Sequence, residues 1–186
     1  MLFMGMALNT EMASFPGGAE ALALSVAPAA EAMRVLRWPA EHLDTLGGYL
    51  TFHNVMLISG FLALYAALQG ARLVRGPEEH HSLEDVLATG WSRPAYLRDR
   101  TIGFVIVLVA VTIGIGVGIA WAMAVSDAAD VTGSMVTMAS VGLGALVAFG
   151  LGVLVSQLTR STRSARGIAA LAVVALYLAN NAVDAG

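Results

Sequence analysis

Long apolar runs alternate along this chain with short charged stretches. Residues 49–74 form the first complete run, and its centre, Val55 to Leu68, carries no charge. Further runs follow at 101–125, 131–158 and 167–183. A helix needs about 20 consecutive apolar residues to cross a bilayer, so the pattern predicts an all-α fold, a polytopic membrane helix bundle with four complete spans. Residues 1–8 are apolar but too short to cross, and read as the tail of a preceding membrane helix. Phe15-Pro16-Gly17-Gly18 then breaks the chain, and the Ala-rich stretch 18–37, interrupted near Pro28, predicts either short amphipathic helices at the membrane surface or an ordinary packed external helix. With the loop marked by Trp38-Pro39 and Gly47-Gly48, this gives an N-terminal segment, 1–48, ahead of a transmembrane domain, 49–186.

Charge fixes the expected orientation. The stretch 71–100 carries Arg72, Arg75, Arg93, Arg98 and Arg100, and the stretch 159–167 carries Arg160, Arg163 and Arg166. The turn Ser126-Asp127-Ala128-Ala129-Asp130 has no basic residue. Short loops rich in Arg stay in the cytoplasm. Loops 75–100 and 159–166 are therefore expected inside, and the N-terminal segment outside.

The first of these loops has the most structured pattern. Ser82-Leu83-Glu84-Asp85 has the form of a capping box, and Leu83, Val86 and Leu87 fall on one helical face. Gly90 suits a helix stop and Pro94 the start of the next helix. The sequence thus predicts a short amphipathic helix in the cytosol, a turn at Trp91, and a second helix running into the membrane. Glu78, Glu79 and Glu84 are expected to face solvent or basic groups of a soluble partner, and a solvated loop without a partner is the plainer alternative. His80-His81 reads as a solvated or pH-responsive pair.

Composition narrows the chemistry. Hydrophobic residues make up 58% of the chain and charged residues 12%, against about 25% charged in a typical soluble domain. There is no Cys, which excludes disulfides and thiolate metal sites. All ten basic residues are Arg, so neither a phosphate-binding Walker A lysine nor a Schiff base is possible. No acid, Arg or Lys sits in the centre of a run, which argues against a proton- or sodium-coupled carrier. Gly114 and Gly118 form a Gly-x-x-x-Gly pair, and Gly142, Gly144, Gly150 and Gly152 stand in the third run. These glycines, Gly114, Gly118, Gly142 and Gly144 first among them, are expected to pack helices closely within the bundle, with a dedicated dimer motif as the alternative.

The charged loop also resembles a known family. Permease subunits of ABC-2 type exporters carry a Glu-Glu pair, then Leu-Glu, then an Arg about a turn further on, and Glu78-Glu79, Leu83-Glu84 and Arg93 repeat that order. His81 stands where the family often has Gly. Phe15-Pro16 with the Ala-rich stretch, Leu43-Asp44-Thr45-Leu46-Gly47-Gly48, Ser164-Ala165-Arg166-Gly167 and the closing Ala182-Val183-Asp184-Ala185-Gly186 resemble, in that order, the tetronasin-resistance (polyketide antibiotic) exporter permeases. The resemblance implies most of one six-helix half of a multi-pass permease in a bacterial cytoplasmic membrane, paired with a second half in the same chain or another subunit. It implies no catalysis and no cofactor on this chain. ATP and Mg would be bound by a separate ATP-binding cassette ATPase, which would grip a coupling helix through Glu78, Glu79, Leu83, Glu84, Val86, Leu87, Trp91 and Arg93. The cargo would be a hydrophobic drug, antibiotic or lipid-like molecule, with membrane lipid as a further partner and no nucleic acid.

Three other functions bear comparison with the same residues. Glu78-Glu79 beside His80-His81 is similar to the glutamate motif of intramembrane proteases, but Leu83 stands where that motif needs Arg, and no later run holds a His. A haem or metal protein would need facing His residues in the bundle, and His53 has no mate in a span. A membrane scaffold subunit without transport fits the hydrophobic pattern equally well; only the ordered resemblance separates it from a permease.

Overall fold

The computed structural model describes residues 55–79, 82–125 and 131–184, with isolated positions between 16 and 28. The rest of the N-terminal segment, the His80-His81 pair and the 126–130 turn lie outside the described residues. Five helices follow in order: α1 (Met56–Glu79), α2 (Ser82–Ala88), α3 (Arg93–Val125), α4 (Val131–Leu158) and α5 (Thr162–Asp184). No strand occurs among the described residues. Four of the helices, all but α2, are long and apolar enough to cross a membrane, so the chain is a polytopic helical membrane bundle.

The third span, read as 131–158, has those limits in the structure. Others shift toward the charged ends. α1 runs past the expected limit at 74 and through Pro77 to Glu79. Proline lacks an N–H, so the Leu73 carbonyl loses its partner four residues on, but the helix ends two residues later, which keeps the loss local. α3 begins at Arg93 rather than 101, and α5 at Thr162 rather than 167. The expected loop 75–100 is therefore mostly helix, and only Thr159–Ser161 separates α4 from α5.

The chain divides into two compact units. In one, residues 59–111 and 140–175, α1 and α4 approach more closely than any side chain would permit. A Cβ built on Gly152 would strike the backbone of Ala67 and Ala71, and one on Gly70 the backbone of Phe149 and Val153. Ala67, Ala71, Ala148, Ala165, Ala169 and Val173 form a buried cluster there, so α5 joins the same contact with small residues four apart. Small side chains bring helix backbones into van der Waals contact, which is the main attraction left once lipid removes the hydrophobic drive. Beside it, the Phe104 and Phe149 rings stack with centroids 4.2 Å apart, in a cluster with Ala66, Leu108 and Ala145. Ser156, fully buried, donates to the Val153 carbonyl at 2.6 Å, so its hydroxyl is satisfied without water.

The other unit contains 112–139 and 176–186 together with the chain up to 58. There Gly116 meets Met135 and Met138, with its closest built contact at 3.2 Å, and the Ser134 hydroxyl lies 3.5 Å from the Met123 sulfur.

Of the glycines expected to pack helices, Gly152 does so, whereas Gly114, Gly144 and Gly150 face open space, with nothing within 4 Å of a built Cβ among the described residues. Spacing alone leaves open which way a helix is rotated, and here α4 turns Gly152 and Ala148, not Gly144, toward α1. Gly142 is buried.

Candidate functional site

The charged ends of α1, α3 and α5, with α2 between the first two, form the candidate site. All of it lies in the unit that spans 59–111 and 140–175.

Glu78 and Glu79 end α1, and the helix delivers them to different partners. The Arg93 guanidinium donates from Nη1 to Glu78 Oε1 at 3.3 Å, tying α1 to the first residue of α3. The pair is partly exposed, so its worth is that of a surface ion pair, about 0–1 kcal/mol. Glu79 Oε1 accepts the backbone N–H of Thr162 at 2.6 Å. Thr162 opens α5, and the first N–H groups of a helix have no partner within it. A carboxylate there also sits at the positive end of the helix dipole. Ser161 completes the cap. Its Oγ accepts the Ser164 N–H at 3.2 Å, and its carbonyl takes the Ala165 N–H at 3.0 Å. Among the described residues, the buried Thr162 hydroxyl has no hydrogen-bond partner. Glu79 and Ser161 thus both give partners to the N–H groups at the start of α5.

The start of α3 is built on the same logic. Ser92 Oγ accepts the Ala95 N–H at 3.4 Å and the Ser92 carbonyl the Tyr96 N–H at 3.0 Å. Pro94 sits in the first turn, where its missing N–H costs nothing. Tyr96 is buried, and the Arg100 guanidinium lies 5.4 Å from its ring centre.

Between these ends, α2 is short and stops sharply. The Gly90 N–H donates to the Leu87 carbonyl, the Thr89 N–H and Oγ1 both donate to the Val86 carbonyl, and Gly90 takes φ 94°. A left-handed residue after a helix is a glycine stop, as the sequence predicts. Leu83 is 6% exposed, Val86 and Leu87 are partly buried, and Glu84 and Asp85 point outward. Trp91, in the turn, is 47% exposed.

The expected site residues thus fall into three sets. Leu83, Val86 and Leu87 hold α2 to its own chain, and Glu78, Glu79 and Arg93 bind neighbouring helix ends. Glu84 and Trp91 remain on the outside. Glu79 is exposed as expected and Glu78 is partly buried, and each also has a partner within the chain, the Thr162 N–H for Glu79 and Arg93 for Glu78. The sequence reading missed Asp85 as a surface residue, and it missed Ser161 and Thr162 altogether. The Ser-Thr-Arg-Ser stretch at 161–164 was a visible capping signal. Among the described residues, no three His, Cys, Asp or Glu side chains gather as a metal would require.

A family model described as ABC-2 family transporter protein matches the chain over residues 1–186. No curated protein and no solved structure matches it.

Proposed function

The chain belongs to the ABC-2 family of transporter proteins, the membrane component of an ABC transporter, and from that membership we propose that a separate ATP-binding cassette ATPase drives it by gripping α2. The observation that carries this is the build of α2. It is pinned by Leu83 and bounded by Gly90, and it presents Glu84, Asp85 and Trp91 outward. The matching partner surface is basic, with an apolar recess for Trp91.

In this reading ATP and Mg bind on the ATPase, and this chain does no chemistry. A push on α2 has two outlets. One runs through the turn at Gly90–Ser92 into α3, a single helix from Arg93 to Val125. The other runs through Glu79, which holds the start of α5. Movement of α3 and α5 then opens a path outward for a hydrophobic drug, antibiotic or lipid-like molecule. The sparse polar residues of the spans, among them Thr112, Thr137, Ser140 and Ser156, support an apolar cargo. The order of motifs favours the tetronasin-resistance group within the family, a bacterial cytoplasmic membrane, and a second permease half as partner.

The test is affinity purification of the full chain from its native membrane in mild detergent, with bound proteins identified by mass spectrometry. The reading expects an ATP-binding cassette ATPase with the unchanged chain, and its loss with Glu84→Ala, Asp85→Ala and Trp91→Ala combined. No ATPase, or one indifferent to the three changes, would turn the reading to the scaffold subunit.

A further inference from the structure

The first turns of α5 carry a second surface that the transport reading does not use. Arg163 and Arg166 are both exposed. Residues 131–183 contain no Asp or Glu, and Glu79 of α1 reaches this helix start through Oε1 on the Thr162 N–H. From Arg163 the exposed face continues through Gly167, Leu171 and Val174 at spacings of four, four and three. Leu171 is 71% exposed, and nothing lies within 4 Å of a Cβ built on Gly167. A cationic head followed by an open apolar track has the polarity of a phospholipid laid against the helix.

We infer that Arg163 and Arg166 hold the phosphate of an anionic phospholipid whose acyl chain lies along Gly167, Leu171 and Val174. This rests only on α5 crossing the bilayer, not on the exporter reading. The dimensions agree. From residue 163 to 174 is 11 rises, roughly 16 Å of helix, against about 15 Å for the hydrocarbon of one leaflet, half of a core about 30 Å thick. Two guanidinium forks three residues apart on a helix share a face and suit bidentate phosphate recognition. Their stems can reach from the apolar level to the headgroups, and Gly167 leaves a gap at which the glycerol region can approach the backbone. A soluble partner fits the patch less well, because the apolar track that begins one turn away lies inside the candidate span Thr162–Asn180.

The experiment reconstitutes the full chain in phosphatidylcholine bilayers with a trace of spin-labelled phosphatidylglycerol or spin-labelled phosphatidylcholine. Electron paramagnetic resonance then compares the immobilised fractions. The expected preference for phosphatidylglycerol is about fivefold, the contribution of roughly one well-placed arginine, and it weakens with salt. Arg163→Gln with Arg166→Gln brings it to about one. Arg98→Gln with Arg100→Gln leaves it standing, which separates a site from diffuse positive charge. Two variants keep the test decisive if the glutamine pair misfolds: Arg163→Lys with Arg166→Lys retains part of the preference, and Gly167→Leu lowers it with both charges in place. No preference in the unchanged chain, equal loss in both arginine pairs, or a glutamine pair that keeps the lipid but loses a bound protein would overturn the inference.

Discussion

A Cβ at Gly152 would meet the α1 backbone, whereas one at Gly144 would meet nothing, and this contrast is a prediction. Gly152→Ala should destabilise the chain by about 1–3 kcal/mol, the usual cost of overpacking. Gly144→Ala should be neutral or slightly stabilising, because alanine is the better helix former. Thermal unfolding of both variants in detergent checks the pair, and equal melting temperatures would contradict the packing described. Glu79 offers a second test. Removing the acceptor from the α5 start with Glu79→Ala should cost about 1 kcal/mol, seen as roughly fivefold faster hydrogen exchange in the 159–170 peptide. Glu79→Gln, which keeps an acceptor oxygen, should lose less. The two positions differ in how far the sequence reveals them. Glu79 and Thr162 are 83 residues apart, and local pattern says nothing about such a contact. Gly152 did carry a signal, since Ala67 and Ala71 on α1 and Ala148 and Gly152 on α4 are both small pairs four apart. The more familiar Gly-x-x-x-Gly at Gly114 and Gly118 carries the same signal on a helix where Gly114 meets nothing, because a spacing motif shows that a face is smooth but not which helix meets it.

At the scale of elements, hydrophobic runs made the four spans legible, while helix ends were displaced wherever capping extended a helix beyond its apolar stretch. α3 gains two turns below its apolar run because Ser92 caps it and Pro94 suits a first turn, although that part carries Arg93, Arg98, Asp99 and Arg100. α5 gains its first turn from Ser161 and Glu79 in the same way. α2 was legible as a helix because Gly90 stops it, and its inward face because Leu83, Val86 and Leu87 share a side. Gly90 ends α2 at φ 94°, a backbone conformation that glycine alone takes without strain. Gly90→Ala should cost about 1 kcal/mol locally. It should weaken capture of the ATPase while leaving the melting temperature of the bundle nearly unchanged. A large loss of bundle stability would mean that α2 is part of the core and not a separate lever.

For the whole molecule, the exposed apolar surface is the clearest sign of its environment. Only 17% of the most apolar stretch of α3 and 11% of that of α5 are buried within the chain. Ile106, Val107 and Trp121 stand outward, where lipid or another transmembrane surface must cover them. Trp91 and Trp121 are both exposed but should lie in different media. With single-tryptophan variants in brominated-lipid bilayers, Trp121 fluorescence should be quenched strongly and Trp91 weakly; equal quenching would contradict the placement of α2 outside the membrane. The family was legible from the loop because the Glu-Glu, Leu-Glu and Arg order lies within one short stretch, whereas the cargo was not, since an apolar wall suits many molecules. The measurement that bears most directly on the central claim places a photo-crosslinking residue at position 85 of the full chain in native membranes, with the same residue at position 144 for comparison. The account predicts that light joins position 85, but not position 144, to an ATP-binding cassette ATPase, and that the yield changes when ATP is added. No ATPase at position 85, or the same capture from both positions, would contradict it.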